Sequence, residues 1–412
     1  MRNSGILFLG LLFLGLSAAA QQPNLSYYLT QALSNSPLLK DYQDQQQSNQ
    51  VDSLRIIASY KPQVTANSLN SFAPSYKGFG YDYAVTNGGT LSALLGVNKT
   101  VISKAYLGTQ FQTIQLQNQL LANHAKISEQ DLKRNVTAQY ITAYGDLQQL
   151  NFNREESALL EKEEQLLKIL TEKNVYRQTD YLIFYVTLQQ QKITGKQLEI
   201  QYANDLASLN YLCGITDTTT LPIADPDIVL DPLPDISNSV FFQQFVLDSL
   251  QLSNSRAMVD FSYRPKINVF GDGGFYSAFS YQGYKNFGAS IGLSITLPVY
   301  DGHQKQLQYN KISIAEHTRQ VYQDFFKRQY RQQVAQLMQQ LYGTDQLIGE
   351  IRDQIRYSKA LIEVNEKLLG TGDAKITDYV LAINNYLTAK NLLTQNNINH
   401  LQIINQINYW NR

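Results

Sequence analysis

The chain has 412 residues with 34 basic side chains against 34 acidic ones, so no net positive charge points to nucleic acid. Only 17% of residues are charged, and a single cysteine excludes an intrachain disulfide. Beyond Ala20 no apolar run approaches the ~18 residues of a transmembrane helix, so any passage through a membrane would need strands of a closed barrel.

The N-terminus reads as an export signal. Arg2 supplies the positive charge, Ile6 to Leu16 a short apolar run, and Ala18-Ala19-Ala20 a small-residue cleavage site. This predicts a signal peptide over residues 1–20. A lipid-modified end would need a cysteine there, and Cys213 lies far away. Helix is expected from Leu25 to Tyr60, interrupted at Asn35-Ser36-Pro37, where Ser36 suits an N-cap and Pro37 a first helical position. Two strand-like segments follow, Gln63 to Phe72 and Thr90 to Thr100. The loop between them carries Tyr76, Phe79, Tyr81 and Tyr83. Helix then runs from Ser103 to Lys173, turns at Asn174 to Gln178 and resumes from Thr179 to Leu212. A proline- and aspartate-rich segment without helical character spans residues 213–238, before helix from Ser239 to Phe261.

From Tyr263 the pattern starts again. Tyr60-Lys61-Pro62-Gln63-Val64 corresponds to Tyr263-Arg264-Pro265-Lys266-Ile267 at a separation of 203 residues, and beyond the loop the separation settles at 198. Leu95 and Val97 then match Leu293 and Ile295. Thr179-Asp180-Tyr181 matches Thr377-Asp378-Tyr379, and Asn210-Tyr211 matches Asn408-Tyr409. Such a register marks a tandem duplication. It divides the mature chain into a first repeat (21–212), a linker (213–238) and a second repeat (239–412). Each repeat has strands, a long helix of about 100 Å (~1.5 Å per residue) and a returning helix half as long. In the second long helix, Val334, Leu341, Ile348, Ile355, Ile362 and Leu369 recur every seven residues, with Leu307, Ile314 and Val321 in a shifted phase. Two shorter helices must therefore lie along each long one, with the linker midway as a girdle.

From Phe287 to Thr296 the strand alternates strictly, with Ala289, Ile291, Leu293 and Ile295 apolar and small or polar residues between them. Leu91, Ala93, Leu95 and Val97 do the same in the first repeat. If the strands cross a membrane, Leu91, Leu95, Val97, Ile291, Leu293 and Ile295 face lipid, while Asn268 and Asp272 face a lumen. The second loop is equally aromatic, with Phe275, Tyr276, Phe279, Tyr281 and Tyr284, as suits an interfacial girdle. Four strands cannot close a barrel, since small membrane barrels use about eight, so several chains would have to share one. The expected fold is mostly α, a tandem repeat of long coiled-coil helices with a small β part.

The order of these motifs resembles the TolC-like outer-membrane efflux proteins over nearly the whole mature chain. Leu33-Ser34-Asn35-Ser36-Pro37 is similar to that family's opening helix, and Leu209-Asn210-Tyr211-Leu212-Cys213-Gly214 to its mid-chain helix end. Leu297-Pro298-Val299-Tyr300-Asp301-Gly302 resembles its strand-to-helix junction, and Gly372, Asp378, Ala382 and Tyr386 to Lys390 its second turn and returning helix. The resemblance implies a homotrimer with a shared twelve-stranded barrel in outer-membrane lipid and a helical tunnel through the periplasm. It implies a passive exit duct of an efflux or secretion system, working with a periplasmic adaptor and an inner-membrane transporter, and no cofactor.

It also implies an acidic gate at the periplasmic tip, with Asp180 and Asp378 as candidates. Ile183 and Leu381 stand where a second acidic position falls in the family, so the ring is thinner here. Val175, Tyr176 and Arg177, with Gly370, Thr371 and Gly372, become candidate adaptor contacts. Read as local structure alone, Asp180 and Asp378 are first-turn charges behind Thr179 and Thr377 as caps. His124, His303, His317 and His400 are scattered without metal-ligand spacing, and no nucleophile or phosphate-loop motif appears, so an enzyme is not expected. The competing reading of the heptads is a periplasm-spanning scaffold or adhesin that forms no channel.

Overall fold

The computed structural model describes residues 22–74, 76–77, 79, 89–232, 236–278 and 283–411. The expected signal peptide, the loop aromatics Tyr81, Tyr83, Phe279 and Tyr281, and linker residues 233–235 lie outside them. The elements run α1 (Leu25–Asn35), α2 (Pro37–Ser59), β1 (Gln63–Asn67), β2 (Asn70–Phe72), β3 (Gly89–Val101), α3 (Lys104–Glu172), α4 (Gln178–Leu212), α5 (Val240–Ser262), β4 (Lys266–Ser277), β5 (Phe287–Thr296), α6 (Gln304–Thr371) and α7 (Ile376–Trp410). The long helices have 69 and 68 residues and the returning ones 35 each. No proline falls inside α3, α4, α6 or α7, so nothing removes a ladder donor along them.

Two compact units divide the chain, and α3 and α6 contribute to both. The first gathers the described residues up to Ser36 with Leu132–Leu230 and Leu337–Ile407. In it, Val136, Tyr140, Ala143, Leu147 and Leu150 repeat at alternating four- and three-residue steps along α3. They pack on Tyr28 and Ala32 of α1 and on Tyr202, Leu206 and Leu209 of α4. The irregular segment after α4 is tied to this core by tyrosines. Tyr140 donates its hydroxyl to the Ala224 carbonyl (2.6 Å), Tyr202 to that of Leu221 (2.6 Å) and Tyr144 to the Asp225 carboxylate (3.0 Å). Gly145, beside Tyr144, lets α7 come close, since a Cβ there would stand 2.1 Å from Ile398 Cδ1. Its repeat mate Gly343 faces open space.

The second unit comprises Pro37–Asp131, Asp231–Gln336 and the residues from Asn408 onward. Its helical part centres on Trp410, whose ring lies 5.2–6.5 Å from those of Phe241, Phe326, Tyr330 and Tyr409. At the entrance to α6, Gly302 has a φ of +64°, and the Asp301 carboxylate accepts the Lys305 amide at 2.7 Å. That is the turn-and-cap use of the Asp-Gly pair.

The strands form one antiparallel sheet, ordered β1-β3-β4-β5 with β2 also on β3. The single strand expected over 63–72 is split into β1 and β2. Both keep one register on β3, Asn67 opposite Leu94 and Asn70 opposite Leu91. In the gap the Ser92 amide still bonds the Leu69 carbonyl (3.2 Å), and the Ser92 hydroxyl adds bonds to the Leu69 amide and carbonyl (2.9 and 3.0 Å). The five short strands thus amount to four tracks.

Candidate functional site

Two places gather the residues singled out from the sequence: the paired turns α3–α4 and α6–α7 in the first unit, and the sheet in the second.

The two turns are built alike. Val175 N–H bonds the Leu170 carbonyl and Asn174 N–H that of Thr171, while Asp373 and Gly372 do the same to Leu368 and Leu369. Each is a Schellman closure, with Asn174 (φ +58°) and Gly372 (φ +80°) as the left-handed residue. A tyrosine joins them. The Tyr176 hydroxyl lies 3.0 Å from the Leu369 carbonyl and 3.1 Å from that of Ala374, so its one proton holds the first turn against the second. Tyr176 is accordingly half-buried, whereas Val175, Arg177, Gly370, Thr371 and Gly372 are exposed.

Asp180 and Asp378 occupy the same place in their helices, but the caps differ from expectation. α4 starts at Gln178, so Arg177 is its N-cap and Thr179 lies inside the first turn. Thr377 likewise lies within α7, which starts at Ile376. The aspartates therefore sit at the third helical position, where a carboxylate can reach back to the cap. Asp180 Oδ2 accepts the Arg177 amide at 3.4 Å. Asp378 is exposed and makes no side-chain hydrogen bond or ion pair among the described residues. One turn on, Ile183 and Leu381 are exposed apolar residues.

Behind the turns lies a core of Leu160, Leu167, Phe184, Leu188, Ile362, Leu369, Ile376, Tyr379 and Ile383. Three buried polar residues, Asn153, Glu156 and Glu163, share the α3 seam with Leu160 and Leu167. Burial, above all, raises the affinity of Glu156 and Glu163 for a proton; the Glu366 charge adds to it at Glu163, while Lys390 opposes it at Glu156. Sequence reasoning passed over both, although polar residues at three- and four-residue steps from buried leucines were a readable signal. Asp146, higher on the same helix, is also buried. Burial first, then the neighbouring Asp205 carboxylate, pushes it up to about 7.

In the sheet, directly opposed residues share a face. One face collects Val64, Leu91, Leu95 and Val97, then Ile267 and Val269, then Ile291, Leu293 and Ile295. Lys99 is its charged exception. All six residues expected to face lipid are solvent-exposed, Ile291 at 87%. The opposite face carries Thr65, Asn67, Asn268 and Asp272, with Asp272 accepting the Ser290 hydroxyl at 2.7 Å. There Phe270 lies over Gly292, where a Cβ would meet its ring at 2.3 Å. Among the described residues, β5 and the β1/β2 track each have one edge without a strand partner. No described helix is long and apolar enough to cross a membrane, and no group of three His, Cys, Asp or Glu is placed to hold a metal.

No protein-family model and no curated protein matches the chain. Solved structures do. The outer membrane protein VceC of Vibrio cholerae superposes with a TM-score of 0.73 at 11% identity, covering 94% of this chain and 96% of that one. The CmeC outer membrane channel of Campylobacter jejuni gives 0.72 at 13% identity over 95% and 86%. The MtrE outer membrane channel of Neisseria gonorrhoeae, in its open state, gives 0.73 at 13% over 94% and 89%. At such identities the likeness shows the fold: long α-helices and a small antiparallel sheet arranged as in outer-membrane channels.

Proposed function

We propose that this chain, whose fold is that of the TolC-like outer-membrane channels, is one protomer of a passive exit duct in the outer membrane of a Gram-negative bacterium. The observation that carries the reading is the sheet: four tracks, two edges without a strand partner among the described residues, and an apolar face whose six candidate lipid contacts are all exposed. Such a sheet is an aggregation hazard in water, and closing it removes the edges. Four tracks cannot close alone, so three copies pair edge to edge as twelve strands, with Leu91, Leu95, Val97, Ile291, Leu293 and Ile295 in lipid and Asp272 inward. The repeats 21–212 and 239–412 then supply equivalent staves, joined by the linker 213–238 and exported by the signal peptide. A periplasmic adaptor meets the exposed turn residues Val175, Arg177, Gly370, Thr371 and Gly372, and delivers cargo from an inner-membrane transporter. Tyr176 serves to hold the two turns together.

The test is Ile291→Arg in the full-length protein. Facing lipid, the arginine costs about 2–4 kcal/mol near the bilayer midplane, so assembled trimer in the membrane fraction falls sharply. Facing water, an exposed substitution costs within about 0.5 kcal/mol and the protein stays as it was. The second outcome, or a wild-type protein that does not conduct in a planar bilayer, removes the duct reading.

Three copies each of Asp180 and Asp378 form the acidic gate. Asp378→Ala is expected to raise single-channel conductance or to relieve block by multivalent cations. A channel unchanged in both respects leaves Asp378 as a helix-capping charge only.

A further inference from the structure

In the second unit, where the strands pass into the helices, lies a cavity of about 460 Å3 whose walls include Tyr60, Ser103, Tyr106, Phe261, Arg264 and Lys266. Its charge is one-sided. The Arg264 guanidinium rests on the Phe261 ring at 4.2 Å, and neither it nor Lys266 has a carboxylate partner among the described residues. Among the described residues no acidic side chain lines the cavity. Asp260, next to Phe261, is committed elsewhere, to Lys305 at 3.3 Å and to the Tyr309 hydroxyl. Ser103 accepts the Tyr106 amide at 3.2 Å and so caps α3, whose positive end adds to the field.

The cavity also adjoins the end of the apolar face. Val101, Ile267 and Ile295 oppose one another across β3, β4 and β5 as the last apolar rung of the exposed face. Val101 is itself part of the cavity wall, and Lys99 stands one rung further along that face. An occupant must therefore join an anionic group to an apolar tail. The Arg264 guanidinium on its aromatic wall suits a phosphate, and the tail would run along the apolar face, whereas Lys266, opposite Thr296, belongs to the other face.

We propose that this cavity binds the headgroup of an anionic glycerophospholipid. Arg264 holds the phosphate, Tyr60 and Tyr106 pack on the glycerol, and the acyl chains begin at Val101. The inference rests on the membrane reading of the sheet and adds a specific lipid site to it.

Purified full-length protein in a neutral detergent is titrated with dihexanoyl phosphatidylglycerol, and bound lipid is counted by native mass spectrometry. The expected result is saturable binding of one lipid per chain. Arg264→Gln weakens it at least about tenfold, the smallest effect expected for losing a charge-assisted hydrogen bond. Arg264→Lys alone, which keeps the charge, retains most of the binding. Dihexanoylglycerol, which lacks the phosphate, does not bind. The proposal is overturned if Arg264→Gln binds as well as wild type, if wild type takes no lipid, or if inorganic phosphate displaces the lipid at equal concentration. Planar-bilayer recordings on the same preparations separate the two readings. Conductance without lipid binding removes this site alone, whereas absent conductance removes the duct.

Discussion

Tyr379→Ala is expected to destabilise the first unit by about 3–5 kcal/mol, the range for truncating a large buried aromatic side chain. Tyr379 is 1% exposed and lies parallel to Phe184, ring centroids 6.3 Å apart at 8°. Leu160, Leu167, Ile362 and Ile383 share its core, so little can move in to fill the space. Its repeat mate offers the control. Tyr181 is half-buried, stacks on Tyr185 at 6.0 Å and gives its hydroxyl to Glu164. Tyr181→Ala should cost only about 1 kcal/mol, a net surface hydrogen bond and part of a ring contact. Urea midpoints of the two variants against wild type decide the matter. Equal losses would mean that the two turns are not packed as the structure has them.

Stability should fall as pH rises from about 4 to about 7 and level off above. Asp146 is 8% exposed, and its Oδ2 is buried without a hydrogen-bond partner. Burial first, then the neighbouring Asp205 carboxylate, favours the neutral form and pushes Asp146 up to about 7. Its folded affinity for a proton thus exceeds its unfolded one, the reverse of a salt-bridged aspartate. Between the ordinary carboxylate value and about 7 the folded chain holds the extra proton. Stability present at the acid end is then lost by at most ~1.4 kcal/mol per pH unit. Glu156 and Glu163 act in the same direction. Glu316, held down by Arg319, acts the opposite way, but only below the ordinary carboxylate range. Asp146→Asn should reduce the slope and leave the part due to the two glutamates and to Asp248, which burial also raises. Melting temperatures from pH 4.5 to 7.5 that rise in the wild type, or a slope untouched by the substitution, would refute the assignment.

The parts of the fold legible in the sequence were those set by local periodicity. Period two marked β3 and β5, the helix expected from Ser103 to Lys173 matches α3 to within a residue at each end, and the heptads from Val334 to Leu369 fall inside α6. Caps were less legible. Thr179 and Thr377 look like better N-caps than Arg177, yet the helices start two residues earlier, because the Schellman closure at Asn174 and Gly372 already sets the chain's direction. Trp410 could not be placed as the hub of an aromatic cluster, since its neighbours come from helices far apart in sequence. Asp146, Glu156 and Glu163 look like ordinary polar residues on a long helix until a second helix covers them.

The heptads of α6 separate the two kinds of information. Leu307, Ile314 and Val321 are as apolar as Leu341, Ile348 and Ile362, and repeat with the same step. Yet the first set is exposed in the second unit and the other buried in the first. Likewise Tyr181 and Tyr379 follow the same Thr-Asp pair, and only one is sealed in a core. The sequence by itself determined the elements, their duplication and which residues share a stripe, because helix and strand periods act over a few neighbouring positions. The tertiary structure alone decided which stripe is covered, which tyrosine clamps a turn and which carboxylates lose water. Burial is a property of what packs across from a residue, and that partner lies anywhere along the chain.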